Sequence, residues 1–281
     1  AVTWIHRHPG SDEWREERLT TVAYPGRVSV DDLDGDGDPD LVIPDLGDPN
    51  PTDDRVGAIY VALNQGDLEF ETRSVLGSVG RAADARTGDF DDDGDVDLVV
   101  GIFGGFRAGQ IGWLERREDG SYTYHRISSK AGAVHVPPVD LDGDGRLDFV
   151  ALISQEHEEV TAFLNRAPDP AEREGDAASR GKPPVRFEPR TLFKAETPTF
   201  GSSGIRLTDL DRDGDTDVLY TNGDAYDVSP PMILPSHGVQ WLENRGNLAF
   251  RHHRLLDLYG AYSAVAGDFD RDGDLDVAAV S

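Results

Sequence analysis

The chain of 281 residues sets 54 Asp and Glu against 27 Lys and Arg, and its net charge of −27 excludes nucleic acid and anionic membrane as partners, since both need a basic face. It has no cysteine, which removes disulfide staples, thiolate zinc sites and thiol nucleophiles together. No apolar run approaches the roughly 20 residues of a membrane span and no signal peptide is visible at Ala1, so the chain reads as a mature soluble product or an excised piece of one.

Many short strands are expected throughout, given 31 Gly and 17 Pro in a chain that is 37% hydrophobic. In chain order, AVTWIHR (1–7) is strand-like, and Trp14 with Leu19 gives an aromatic-to-apolar spacing that recurs. The first acidic loop, DLDGDGDPDLVI, starts at Asp32 and runs into an apolar strand; IYVALN (59–64) and a strand opened by Phe70 follow. The loop returns as DFDDDGDVDLVV from Asp89, DLDGDGRLDFVA from Asp140, DLDRDGDTDVLY from Asp209 and DFDRDGDLDVAA from Asp268, at spacings of 57, 51, 69 and 59 residues. A small-residue stretch such as AADARTG (82–88) precedes each loop, and a second strand-like segment and an aromatic-opened strand follow it: IGWLER and Tyr122, VTAFLN and Phe187, VQWLEN and Phe250.

Four short strands per unit in tandem predict the blades of an all-β propeller. The last unit, from Ala261 to Ser281, supplies only two strands, and residues 1–20 supply the two it lacks. The expectation is one domain over 1–281 with four intact blades and one composite blade, 1–20 plus 261–281, closing a ring of five. The longest spacing comes from a Pro-, Gly- and charge-rich stretch at 166–185, read as an inserted surface loop.

The loops themselves ask for a cation. Between Asp89 and Asp97 six aspartates fall in nine positions, and like charges gathered so closely take up protons or recruit a metal. Numbered from the first Asp, positions 1, 3, 5 and 9 are Asp and position 6 is Gly in all five copies. A sharp glycine turn lets the carboxylates at 1, 3 and 5 converge, with the backbone carbonyl of position 7 completing the near side. Position 7 is Asp38, Asp95, Asp215 and Asp274 in four copies but Arg146 in the third, which suits a carbonyl ligand and not a side-chain one. An all-oxygen set selects a hard cation, and six or seven ligands on a flexible loop favour calcium over magnesium. An EF-hand is rejected, because position 12 is never Glu and the flanks have strand character; Asx-turns without metal are the structural alternative.

Asp-x-Asp-x-Asp-Gly-x-x-Asp before an apolar strand, in units of about sixty residues, resembles the FG-GAP/VCBS repeats of integrin α-chain propellers, some fungal lectins and many bacterial secreted proteins. The resemblance covers essentially the whole chain and is to the bacterial VCBS type. It implies that each loop joins the two innermost strands of a blade and holds calcium through side chains 1, 3, 5 and 9 and carbonyl 7. Those roles fall to Asp32, Asp34, Asp36, Asp38 and Asp40; Asp89, Asp91, Asp93, Asp95 and Asp97; Asp140, Asp142, Asp144, Arg146 and Asp148; Asp209, Asp211, Asp213, Asp215 and Asp217; and Asp268, Asp270, Asp272, Asp274 and Asp276. About five calcium ions are thus implied.

Ligand binding is expected on the other face, which carries the long and dissimilar loops 44–58, 101–110 and 221–238. Innermost-strand residues Arg27, Asp84, Arg86, His135 and Arg206 are candidates for holding a carboxylate or sugar, with salt bridges between blades as the structural alternative. Trp4, Trp113 and Trp241 hold equivalent strand positions and are read as packing residues. His252 and His253 point to opposite faces of one strand and do not chelate. The expected function is a calcium-stabilised extracytoplasmic module for a glycan or protein ligand, secreted, periplasmic or at the cell surface, as a monomeric domain or part of a larger secreted protein. The alternative is a glycan-active lyase or hydrolase using Asp84, His135, Arg86 and Arg206 around the central channel expected of the ring.

Overall fold

Each acidic loop ends on an aspartate that opens an apolar run, and in four repeats every residue of that run's strand is buried: DLVIPD, DLVVGI, DFVALI and DVLYTN. Strands apolar on both sides belong at the centre of sheets covered on both faces. In the computed structural model, which describes residues 1–8, 10–166, 185–225, 232 and 234–281, they take that place.

The chain is all-β among the described residues, and its strands form antiparallel sheets in chain order. β1 (Val2–Arg7) pairs with β2 (Trp14–Thr20). β3 (Ser29–Asp31), β4 (Asp40–Asp45), β5 (Gly57–Asn64) and β6 (Phe70–Val79) form the first four-stranded sheet, and β7 (Ala82–Gly88), β8 (Asp97–Ile102), β9 (Gln110–Arg116) and β10 (Tyr122–Ser128) the second. The third holds β11 (Ala133–His135), β12 (Pro138–Val139), β13 (Asp148–Ile153), β14 (Glu159–Arg166) and β15 (Arg186–Lys194). The fourth holds β16 (Ser202–Thr208), β17 (Asp217–Asn222), β18 (Gly238–Asn244) and β19 (Phe250–Asp257), and β20 (Ser263–Gly267) pairs with β21 (Asp276–Val280). The terminal sheets thus stop at two strands each.

The third sheet departs from the expected four strands because its first strand is broken. Pro137 and Pro138 lack the N–H that a ladder needs, so β11 and β12 pair with β13 separately, and Val150 N donates to the Pro137 carbonyl at 2.9 Å. A bulge lies between the last two strands of each of the four larger sheets, at Ile59/Tyr60, Arg126/Ser128, Val160/Thr161 and Val239/Gln240, sharpening the twist there.

The chain divides into two compact units, residues 1–88 with 94–133 and residues 89–93 with 134–281. In the first, Val42, Ile59 and Val61 pack with Leu98, Val100 and Leu114 between the first two sheets. In the second, Val150, Leu152 and Leu164 pack with Ile205, Val218 and Tyr220 between the next two. Phe90 joins Phe149 and Phe187 edge-on, so the apolar second position of an acidic loop is also an anchor in the core. Burying such side chains contributes about 1.5–3 kcal/mol each. The stretch read as an insertion, 166–185, lies outside the described residues except for Arg166 and Val185, as does part of the 221–238 loop.

Candidate metal centres

The acidic loop joins the first and second strands of each sheet, and its bend depends on two residues with positive φ. Position 6 is glycine throughout, with φ of 92° at Gly37 and 97° at Gly214. Position 4 takes the same left-handed region whatever its side chain: Gly35 and Gly143, but also Asp92, Arg212 and Arg271. That demand was not visible in the sequence, where position 4 reads as free to vary.

The bend turns backbone N–H groups onto the acids. Asp32 accepts from Gly35 N at 2.8 Å and Gly37 N at 2.9 Å, and Asp140 from Gly143 and Gly145 at 2.9 and 3.0 Å. Asp209 and Asp268 accept from Gly214 and Gly273. Position 5 accepts from the N–H of position 7, as Asp36 does from Asp38 and Asp213 from Asp215, both at 2.9 Å. The bonds to position 5 span two residues and are Asx-turn bonds, those to position 1 span three or five, and each carboxylate oxygen keeps a further lone pair.

Position 9 is built differently. Asp40, Asp148 and Asp217 are fully buried at the start of their strands. One oxygen of each accepts from the second loop residue, Leu33, Leu141 or Leu210, at 2.8, 3.1 and 2.9 Å. The other accepts from an asparagine at or next to the end of the third strand, Asn64, Asn165 or Asn244, at 2.7, 2.6 and 2.7 Å. In the second sheet Asp97 accepts Arg116 N at 2.7 Å, from the matching place in the third strand, and the Trp113 indole N–H at 3.0 Å. The asparagine side chains add a bond to the carbonyl before position 9, from Asn165 to Leu147 at 3.3 Å and from Asn244 to Thr216 at 3.2 Å. Sequence reasoning missed these asparagines, though the closing N of IYVALN, VTAFLN and VQWLEN was the signal. Burial pushes Asp148 up to about 6, with Asp142 and Asp144 adding to it and the two backbone bonds opposing it. Burial likewise raises Asp40 and Asp217. Groups so placed favour a compensating cation.

In four loops the acids converge on a common point. One carboxylate oxygen from each member lies within 4.8 Å of the others in Asp32, Asp34 and Asp36; in Asp140, Asp142 and Asp148; in Asp209, Asp211 and Asp217; and in Asp268, Asp270 and Asp276. The donors are all carboxylate oxygen, the chemistry of a hard divalent cation. Asp142 Oδ1 is also buried without a hydrogen-bond partner, a place that a cation would satisfy. Position 7 side chains stand outside these groups: Arg146 pairs with Asp144, and Asp95 with Arg116 at 2.9 Å. The second loop divides between the two units, Asp89, Asp91 and Asp93 falling in one and Asp95 and Asp97 in the other.

Two comparisons bear on this arrangement. The model of the FG-GAP-like repeat matches residues 32–100 and 209–279, which contain the first, second, fourth and fifth loops. The chain belongs to the FG-GAP repeat family. Among solved structures, this FG-GAP protein is similar to the exotype rhamnogalacturonan lyase YesX, with a TM-score of 0.52 and 14% identity over 92% of this chain and 45% of that one. The V. cholerae biofilm matrix protein Bap1 gives a TM-score of 0.41 and 15% identity over 87% of this chain and 41% of its own. The chain therefore spans less than half the length of either. No curated protein matches it.

The five candidate ligand residues of the FG-GAP chain have partners of their own. Asp84, fully buried beside a bulge in β7, pairs with Arg86 Nε at 3.0 Å, and Arg27 donates its backbone N–H to the Ala83 carbonyl at 3.3 Å. In the other unit, His135 Nε2 lies 3.2 Å from the Ser203 carbonyl and Arg206 reaches the Ile205 carbonyl at 3.5 Å. The tryptophans stack on histidines: Trp4 on His6, Trp113 on His125 and Trp241 on His253, with centroids 3.7, 4.7 and 4.6 Å apart. Each histidine in turn meets a glutamate, Glu17, Glu115 or Glu243. His252 turns away from His253, to Gln240 at 2.9 Å.

In the first unit two of the long loops are tied together at the strand ends away from the acid. Asp53 accepts the N–H groups of Arg107 at 2.7 Å and Ala108 at 3.0 Å, bonds that hold its carboxyl below the usual range. Buried Arg81 donates to the carbonyls of Asp48 and Pro49 and lies over the Phe103 ring at 5.3 Å. Phe106 stands 64% exposed on the loop so held.

Proposed function

We propose that this protein is a calcium-stabilised extracytoplasmic binding module that recognises a glycan or protein ligand at the strand ends away from the acidic loops. The observation that carries the ligand side is the tie between loops 44–58 and 101–110: Asp53 and Arg81 fix both while Phe106 and Arg107 remain exposed, so a ligand meets groups already ordered. Calcium is supported by the repeated all-carboxylate groups on glycine turns. Affinities of about 10⁻⁴ to 10⁻³ M, usual for extracellular calcium modules, would fill such loops outside cells and leave them empty in cytosol. The test is a glycan array with rhamnogalacturonan included, run on the wild type and on Phe106→Ala with Arg107→Ala. Binding lost in the double variant, with an unchanged melt, supports the reading; binding that survives it places the ligand elsewhere.

A glycan-active enzyme is the second reading, drawn from the likeness in fold to a rhamnogalacturonan lyase. The burial of Asp84 behind its ion pair counts against that residue as an accessible acid or base. Unsaturated product released from rhamnogalacturonan would establish turnover. We also propose that the chain closes as five blades, residues 1–20 and 261–281 sharing the last; both terminal sheets stop at two strands and expose apolar residues, Ile5 on one and Val280 on the other. A circular permutant joined from Ser281 to Ala1 and opened within 167–184 should keep the melt of the parent, and failure to fold would count against closure.

A further inference from the structure

The third acidic loop meets two cations of its own. Arg146, at the seventh position, pairs with Asp144 and donates from Nε to the Asn165 carbonyl at 2.8 Å. Arg166, the last residue of β14, pairs with Asp142, lies 3.7 Å from Asp144 and reaches Glu188 at 3.2 Å. Among the described residues, no Lys or Arg lies within ion-pair distance of Asp32, Asp34 or Asp36, of Asp209, Asp211 or Asp213, or of Asp268, Asp270 or Asp272.

The cause lies in the third strand of each sheet. The residue that follows the one clamping position 9 is Gln65, Arg117, Arg166 or Arg245. In the second and fourth repeats a glutamate stands two residues earlier, on the same strand face, and draws the guanidinium to itself: Arg117 to Glu115 at 2.6 Å and Arg245 to Glu243 at 3.8 Å. In the third repeat that place is Leu164, buried in the core, and Arg166 turns to the loop acids instead.

We infer that Arg146 and Arg166 are a built-in counter-charge, which makes the third loop a weaker calcium site than the first, fourth and fifth loops and one whose fold does not depend on the metal. The inference rests on the calcium reading above. Asp140, Asp142, Asp144 and Asp148 carry four negative charges against these two positive ones, whereas the first loop carries Asp32, Asp34, Asp36, Asp38 and Asp40 with none. A divalent ion entering the third loop is repelled by two guanidinium groups already paired with Asp142 and Asp144, and calcium affinity follows ligand charge. The arginines also order Asp142 and Asp144 in advance, but that saving is confined to two short side chains, while the repulsion acts twice on a doubly charged ion. The buried Oδ1 of Asp142 keeps a place for a cation, so the site is weakened and not abolished.

Calcium titration by calorimetry, with native mass spectrometry for stoichiometry, tests this on the whole chain. The wild type should show a site weaker than at least three others by roughly tenfold or more. Arg146→Ala with Arg166→Gln should tighten that site by a similar factor, and Arg166→Lys should leave it weak. Hydrogen exchange of the wild type in EDTA gives a second readout free of mutation: residues 140–148 should stay protected while 32–40, 209–217 and 268–276 exchange faster. Equivalent sites in the wild type, a double variant that binds more weakly, or equal acceleration in all these loops overturns the inference alone. Absence of calcium binding at every loop overturns it together with the calcium reading.

Discussion

Asn64 donates its backbone N–H to Asp40 Oδ1 at 2.7 Å, across 24 residues of chain, while Leu33 donates to the other oxygen of the same carboxylate. A single buried side chain thereby joins the acidic loop to the second and third strands of its sheet, and Asp148 and Asp217 do the same in theirs. Removing it strands two buried N–H groups. Asp40→Ala should cost about 2–5 kcal/mol in urea unfolding, with or without calcium. Asp34→Ala, at an exposed position, should cost little in EDTA yet remove part of the calcium effect. Equal losses in EDTA would deny position 9 its structural role.

Calcium itself should act as a staple in a chain without cysteine. Ligand linkage stabilises the folded state by about 2.7 kcal/mol per site at a hundredfold excess over Kd. Melting in millimolar calcium should therefore lie many degrees above melting in EDTA, and coincident curves would remove the metal from the account.

The left-handed backbone at position 4 makes a prediction with the opposite sign. Arg212 and Arg271 hold φ of 63° and 66°, where a side chain costs about 1–2 kcal/mol and glycine costs nothing sterically. Arg212→Gly and Arg271→Gly should each raise stability by up to ~1 kcal/mol after glycine's greater unfolded-state entropy is counted. Gly37→Ala, with open space around its Cβ position but φ of 92°, should lower it by about 1–2 kcal/mol through backbone strain alone.

Acid should destabilise the second unit through two histidines. Burial holds His237 and His252 below the ordinary imidazole value, 6.5. Below that value the unfolded chain binds protons that the folded state refuses, so stability is full above about 6.5 and is lost as pH falls toward the folded values. His252→Gln should flatten the fall in melting temperature between about pH 7.5 and 5.5. An unaltered slope would assign the pH dependence to other groups.

The repeat, the antiparallel order of the strands and the acidic loops were legible in the sequence because each is local. A ligand motif on a glycine turn, an apolar run and a small-residue stretch all fall within one unit of about sixty residues, and strand periodicity reports burial without knowledge of partners. The closing asparagines and the left-handed position 4 were present in the same letters, but their role is a hydrogen bond or a dihedral, neither of which has a period. What tertiary structure alone decided is where charges find their partners. Asp84 is read from sequence as a channel group and is found buried against Arg86; Arg166 is read as the start of an insertion and is found on Asp142. Ion pairs are chosen by distance through space, and that distance is set by strand register and by whether a nearer acid, Glu115 or Glu243 but not Leu164, takes the cation first.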